Sequence, residues 1–167
     1  MKVDGPLWKF AEAIYGQGEV SKACLFLQDE CGVDVNVLLF ALWIAAQHKI
    51  QVDVAAIGRV DALVRQWRQE LVEPLRAVRR RLKTGPAPAP DAVTEGLRSR
   101  LKDVEIELER IELAVLERFD LKNLPQTADK PIAQNAISVV ASYGGNSADK
   151  LVAQAIASIA RAVEVSA

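Results

Sequence analysis

The sequence predicts an all-α protein, a helical bundle with a long antiparallel helical hairpin. Apolar residues recur at spacings of three and four along most of the chain, which is the period of an α-helix. Hydrophobic residues make up 50% of the chain but aromatic residues only 5%, and Gly and Pro number 9 and 7. This composition disfavours a β-sandwich and a disordered chain. A chain of 167 residues is long enough to bury one substantial core.

Three helices are predicted in the first fifty residues. The first covers 6–15, with Asp4 as its cap, and the second covers 19–30. Asp34 is expected to cap a third helix over 35–47. That third segment is apolar nearly all round, so it is expected to be the buried central element.

Two heptad-like patterns predict the two arms of the hairpin. Pro74 is expected to kink the first arm or divide it near Glu73, because its ring removes an amide donor. The connection at 85–91 alternates Pro and Ala, a pattern that is expected to hold the backbone extended. The pattern of the first arm comprises Ile57, Val60, Val64, Trp67, Leu71, Leu75, Val78 and Leu82, that of the second comprises Leu97, Leu101, Val104, Leu108, Ile111 and Val115, and the two patterns are expected to pack together.

The chain is predicted to contain two units. Residues 1–122 form the helical bundle with its hairpin, and residues 123–167 form a C-terminal helical extension. The extension contains weaker helical patterns at 132–143 and 147–165. It either docks on the bundle or forms an oligomer, and one sequence leaves both arrangements open.

Basic residues are concentrated in one segment of a chain whose net charge is -1. The region 65–83 holds seven basic and two acidic residues. One interpretation makes its end a patch for a protein partner; the other pairs it with Asp103, Glu105, Glu107, Glu109 and Glu112 of the second arm. Nucleic-acid binding is not expected, because no aromatic residues interleave the patch. The patch comprises Arg76, Arg79, Arg80, Arg81 and Lys83.

Metal, cofactor and nucleophile patterns are not apparent in the sequence. Cys24 and Cys31 stand seven apart and His48 is the single histidine, so the chain cannot assemble a Cys₂His₂ or Cys₄ zinc site. No glycine-rich segment has the ending of a phosphate-binding loop. No catalytic residue, metal or cofactor is therefore assigned.

A dense polar cluster lies between the second and third predicted helices. Gln28, Asp29, Asp34 and Asn36 could line a ligand pocket. The alternative is structural: Asp34 caps a helix, and Gln28 and Asn36 satisfy backbone groups at a tight corner. Trp8, Tyr15 and Trp67 would complete the walls of the pocket, or serve simply as core anchors.

A cytoplasmic location with free thiols is expected. The longest apolar run, 37–46, is about half of what a bilayer requires, so no membrane span is predicted. No secretion signal is visible at the start of the chain.

Several motifs resemble those of a proteobacterial family of small all-helical proteins catalogued as a domain of unknown function. The signature reads W-x-F-A, then C-L-x-L-Q-D-x-x-G-x-D-V-N-x-L-L-F, from Trp8 to Phe40. The similarity continues through Trp67 and 74–83. The resemblance implies a helical fold and a bacterial cytosolic setting, and it implies no activity.

Two functions are carried forward from the sequence. The first is a non-catalytic protein-interaction or regulatory module that uses the basic patch or the C-terminal helices for a partner or for self-association. The second is a small-ligand-binding protein or enzyme that uses the polar cluster.

Overall fold

The computed structural model describes residues 2–166, which form eight α-helices and one π-helical segment and contain no sheet. Met1 and Ala167, the outer bounds of the two predicted units, lie outside these residues. The all-α bundle is therefore confirmed. In chain order the elements are α1 (Pro6–Tyr15), α2 (Gly18–Cys31), α3 (Val35–His48), α4 (Val54–Trp67), the π segment (Arg68–Val72), α5 (Glu73–Arg81), α6 (Ala92–Leu116), α7 (Ile132–Ser142) and α8 (Lys150–Ser166).

Helix α3 is the centre of the molecule. Its residues from Asn36 to Ala46 are all buried, because the helix is apolar on every side and its neighbours surround it. Asp34 caps the helix as predicted, since its Oδ1 accepts a hydrogen bond from the Val37 amide at 2.9 Å.

Helix α1 begins without the predicted cap. Gly5, not Asp4, occupies the capping position, and Asp4 forms an ion pair with Arg110 instead. The Leu7 amide donates to Glu117 Oε2 at 2.8 Å, so a carboxylate at the end of α6 caps the N-terminus of α1. A Cβ on Gly5 would lie 2.2 Å from that oxygen, and glycine allows the close approach.

The first hairpin arm divides near Glu73 as predicted, but through a π turn that the periodicity did not indicate. A π turn holds one residue more than an α turn, so every later position is displaced by one. Val72 is consequently buried, whereas Leu71 and Val78 are 42% and 52% exposed. The predicted burial of Leu71 and Val78 is therefore wrong.

The second arm, α6, begins at Asp91 with a capping box completed by Thr94. Its first half contributes no buried residue, and Leu97 and Val104 of the predicted apolar pattern are exposed. The face that packs inward carries Glu105, Glu112, Leu113, Ala114 and Leu116. Glu105 and Glu112 thus lie on the inward face of α6, where the sequence pattern predicted only apolar residues.

The Pro-Ala connection turns rather than extends. The Ala89 amide donates to the Pro86 carbonyl at 2.9 Å. The expectation of an extended segment is corrected, because the chain has to reverse here to bring α5 and α6 side by side.

Helices α7 and α8 pack on the same core as the rest of the chain. α8 lies against α2, and α7 lies against α3 and α4. Asn135 of α7 is fully buried, donates to the carbonyls of Ala41 and Ile50 at 3.0 and 2.9 Å, and accepts from the Val52 amide at 3.0 Å. This side chain ties α7 to the segment that joins α3 to α4.

Candidate functional site

A cleft of about 530 Å³ opens between α1, α2, α3 and the two hairpin arms. One side is apolar and is formed by Trp8, Leu25, Leu39, Ile106 and Leu113. The Arg110 guanidinium stacks over the Trp8 ring at 4.9 Å from its centroid and holds the indole in place. The cleft therefore offers a fixed aromatic wall to a bound molecule.

Another part of the cleft lining is charged. Arg76 donates from Nε to Glu105 at 2.8 Å, from Nη1 to Gln28 at 3.0 Å and from Nη2 to Glu109 at 2.5 Å. Arg79 forms a second ion pair with Glu105. These bonds join α5 to α2 and α6, so the charged wall is built before any ligand arrives.

The two carboxyls of this wall respond differently to their surroundings. Burial acts to raise the pKa of Glu105, but hydrogen bonds from Arg79 and Arg76 outweigh it and hold that pKa below its ordinary value. For Glu109 burial is the stronger effect, and the pKa is raised despite the contact with Arg76.

A second cavity of about 150 Å³ adjoins the cleft. Gln28, Val35, Asn36, Arg76 and Glu109 line both cavities and form their common wall. The remaining lining residues include two buried acids, Asp34 and Glu112, with Arg68 and the exposed Glu73.

Arg68 organises the inner side of the smaller cavity. Its Nη1 lies 2.8 Å from Asp34 Oδ2 and 2.8 Å from Asp61 Oδ1. The Tyr143 hydroxyl of α7 donates to the same Asp61 oxygen at 2.6 Å. Arg68 follows Asp61 and Val64 at helical spacings of seven and four, which places it on the inward face of the first arm where the π segment begins.

Glu112 is the least satisfied group of the cavity. It is 1% exposed; Asn36 Nδ2 donates to its Oε2 at 3.1 Å, and its Oε1 has no hydrogen-bond partner within residues 2–166. Burial, together with the negative charge of Asp34, raises the pKa of Glu112 to about 9. The carboxyl is therefore protonated near neutral pH.

The predicted pocket residues divide between the two cavities and the surface. Trp8, Tyr15, Gln28 and Asn36 line the cleft, and Asp34 lines the smaller cavity. The other two lie elsewhere. Asp29 is exposed and faces Arg80 at 3.5 Å, while Trp67 donates from Nε1 to the Leu108 carbonyl at 3.2 Å between the arms.

The predicted partner patch also divides. Arg76 and Arg79 are engaged with Glu105 and Glu109, so the charge pairing between the arms that the sequence suggested is present. Arg80 lines the mouth of the cleft, and Arg81 and Lys83 are exposed farther along the arm.

Sequence reasoning missed the inner ends of both cavities. Glu105, Glu109 and Glu112 stand at spacings of four and three, which places them on one helix face. That spacing predicts charge pairing with the first arm but does not by itself indicate burial. Arg68 shares the inward face of Asp61 and Val64 by ordinary helical spacing, but a charged residue at that position is not by itself a signal of burial.

Metal coordination and membrane insertion find no support in the described part of the chain. Across residues 2–166, His, Cys, Asp and Glu side chains form no group of three able to hold a metal ion. None of the helices described there combines the length and apolar character needed to cross a membrane.

These features define an all-helical protein with a half-open cleft and a carboxyl-rich inner cavity. Residues 6–116 match the family described as "Protein of unknown function (DUF2390)", and the chain belongs to that family. The resemblance to a domain of unknown function is thereby confirmed. Both cavities are lined from within the matched segment. No curated protein and no solved structure matches the chain.

Proposed function

We propose that this protein binds a small amphipathic molecule in the cleft between α1, α2, α3 and the hairpin. The observation that carries the proposal is the cleft itself, whose volume of about 530 Å³ falls within the range of small-molecule sites. Its apolar wall would remove the body of a ligand from water, and its polar wall would orient it.

Preorganisation supports the same conclusion. Arg76 bridges α2, α5 and α6 through three hydrogen bonds, so the polar wall is held rigid by groups that do not themselves need a ligand. Rigid polar groups lose little entropy when a ligand binds.

Binding, not catalysis, is the proposed role. Burial raises the pKa of Cys24 to about 12, which leaves its thiol protonated and unreactive at neutral pH. His48, the single histidine, is exposed at the end of α3 and packs edge-to-face against Trp43 at 4.9 Å between ring centroids.

Ligand binding in the cleft can be tested with a substitution whose larger side chain fills the space. Ile106 lines the cleft and is already partly exposed, so an Ile106→Trp variant should fold while its indole occupies the space. Native mass spectrometry of the gently purified protein from its own host should detect a retained small molecule. The variant should bind that molecule at least about tenfold more weakly.

Val104→Trp is the matched control, because Val104 is an exposed residue of the same helix and does not line the cleft. It should retain the ligand as the unaltered protein does. Equal loss in both variants, or no small molecule in the unaltered protein, would count against the cleft.

A second candidate, protein interaction through the hairpin, is favoured by a different observation. Helix α5 contributes no buried residue, and Val78, Val93 and Leu97 of the two arms are exposed. Single apolar residues are common on surfaces, but several exposed on neighbouring helices of one hairpin would suit a partner site. The partner would be another protein or a second copy of this chain.

The hairpin candidate is tested by charge reversal at positions outside the cleft. Arg81→Glu combined with Lys83→Glu should abolish capture of a partner from the host while leaving ligand retention unchanged. Arg59→Glu, an exposed change on α4, is the control. Capture that survives the double reversal would remove this surface from consideration.

A further inference from the structure

The smaller cavity carries more acid than base. Four carboxyl groups line it, from Asp34, Glu73, Glu109 and Glu112, against two guanidinium groups, from Arg68 and Arg76. The two arginines are also shared with acids outside the cavity wall, Asp61 and Glu105. The cavity is therefore suited to a positive charge.

One buried carboxyl group of the smaller cavity has no ion-pair partner in the described residues. Asp34 is paired with Arg68 at 2.8 Å, and Glu109 is paired with Arg76 at 2.5 Å. Glu112 has no cationic partner in the described residues, and its Oε1 accepts no hydrogen bond. A buried polar atom without a hydrogen-bond partner is costly, so this oxygen marks the place where a partner is missing.

The geometry favours an ammonium group over a metal ion. Residues 2–166 offer no metal-binding group of three side chains. An ammonium group instead needs acceptors for its N–H donors, and the cavity lining includes two residues that can supply them. The acceptors are Glu112 Oε1 and the carbonyl oxygen of Asn36, whose amide nitrogen is already used on Glu112.

We propose that the smaller cavity binds the protonated amino group of an amphipathic amine, whose apolar part lies in the adjoining cleft against Trp8. This inference rests on the proposed function, since it identifies the chemical class of the cleft's ligand. The cavity of about 150 Å³ accommodates a head group but not a whole ligand, and its wall is shared with the cleft.

When the amine binds, its ammonium group replaces the proton of the Glu112 carboxyl. In the free protein Glu112 keeps a proton near neutral pH, because its pKa is raised to about 9. When an alkylammonium ion enters, Glu112 loses that proton to solvent and pairs with the ammonium group, so the charge of the cavity is unchanged. Amine binding should therefore release close to one proton and should strengthen as pH rises toward 9. The groups facing Glu112 across the cavity are Asp34, Asn36, Arg68, Glu73, Arg76 and Glu109.

The experiment compares three probes that share one phenyl body. Phenethylammonium, phenethyl alcohol and hydrocinnamate are titrated into the full-length protein by isothermal calorimetry, in two buffers of different ionisation enthalpy. We expect the ammonium probe to bind at least about tenfold more tightly than the alcohol, because a charge-assisted hydrogen bond replaces a neutral one. The difference between buffers should report release of close to one proton with the ammonium probe alone.

Glu112→Gln is the decisive variant, and Glu107→Gln, an exposed acid on the same helix, is its matched control. The first should abolish both the preference for ammonium and the proton release, while alcohol binding persists; the second should change neither. The proton count on the unaltered protein does not depend on how either variant folds.

The outcomes separate the two proposals. Alcohol and ammonium binding equally, without proton release, would overturn the amine site and leave the cleft standing. Tighter binding of hydrocinnamate would overturn it in favour of an anion held by the arginines. If none of the probes binds, and the protein also retains no small molecule from its host, both proposals fail.

Discussion

At the scale of single residues, Glu112 is an acid that the fold keeps neutral. Its unfolded-state pKa is near the model-compound value of 4.5, whereas burial beside Asp34 raises the folded-state pKa to about 9. Between these two values the unfolded chain has lost the proton that the folded chain keeps. Rising pH therefore favours unfolding across this window.

The first prediction is that stability falls as pH rises from about 5 to 9, and that Glu112→Gln removes Glu112's share of the fall. That share has a limiting slope of about 1.4 kcal/mol per pH unit. Glu109, whose pKa is also raised, acts in the same direction, so a part of the slope should persist. Urea denaturation at several pH values measures it.

Asp61 and Glu105 provide the internal control for this window. Their pKa values are lowered in the fold, because hydrogen bonds from Tyr143 and the arginines outweigh the effect of burial. The stability they contribute is present above their ordinary pKa values and is lost only in acid, below the window of Glu112. A pH profile of Glu112→Gln that parallels the unaltered protein would show that Glu112 is not held neutral.

At the scale of elements, rotation and capping decide what each helix presents. The π turn displaces α5 by one residue. As a result, Arg76 and Arg79 face α6, where the regular periodicity predicted Leu75 and Val78. Pro74 lies in the first turn of α5, just after the π turn. Proline has no backbone N–H, and at this position the helix needs no hydrogen bond from it. The charged wall of the cleft is thus a consequence of one irregular turn.

The second prediction concerns the remote cap of α1. Glu117→Ala removes the carboxylate that accepts from the Leu7 amide at 2.8 Å, and should lower the free energy of unfolding by about 1–2 kcal/mol. Because α1 carries Trp8 and Tyr15 into the cleft, ligand affinity should fall as well. Thermal denaturation and ligand titration measure the two effects.

Arg118→Ala, a change at the exposed neighbouring position, serves as the comparison and should leave both quantities close to those of the unaltered protein. If Glu117→Ala matches it, then α1 is held by its buried Leu7 and Ile14 alone.

At the scale of the whole molecule, the core extends beyond the segment that matches the family. The match ends at residue 116, yet Ile132, Val139, Ile159 and Val163 of the last two helices belong to the same cluster of buried residues as α3. α8 covers α2, so removing its apolar face would expose the back of the helix that carries Gln28.

The third prediction is that Ile159→Ala costs about 2–5 kcal/mol, since Ile159 is fully buried and its loss leaves a cavity. Leu151→Ala on the same helix, at a side chain that is 59% exposed, should change stability by no more than about 0.5 kcal/mol. Equal, small effects in the two variants would indicate that α8 does not support the fold of the single chain in solution.

The folded molecule also decides which basic residues are paired with acids and which are exposed to solvent. Of the seven basic residues between 65 and 83, five are engaged with acids from other turns or helices: Arg65, Arg68, Arg76, Arg79 and Arg80. Local excess of one sign along the chain therefore overstates the surface available to a partner. Arg80, Arg81 and Lys83 are what the hairpin presents to solvent.

The sequence by itself determined the helical class, the central position of α3, the Asp34 cap and the division of the first arm at Pro74. These features depend on local periodicity and capping, which act within a few residues. Only the tertiary structure decided that Arg68 turns inward, that Glu105 and Glu112 are buried and that Glu117 caps α1. Each of these depends on a partner far along the chain. The cleft and its acidic inner cavity exist because of those long-range contacts, so their chemistry could not be derived from residue spacing alone.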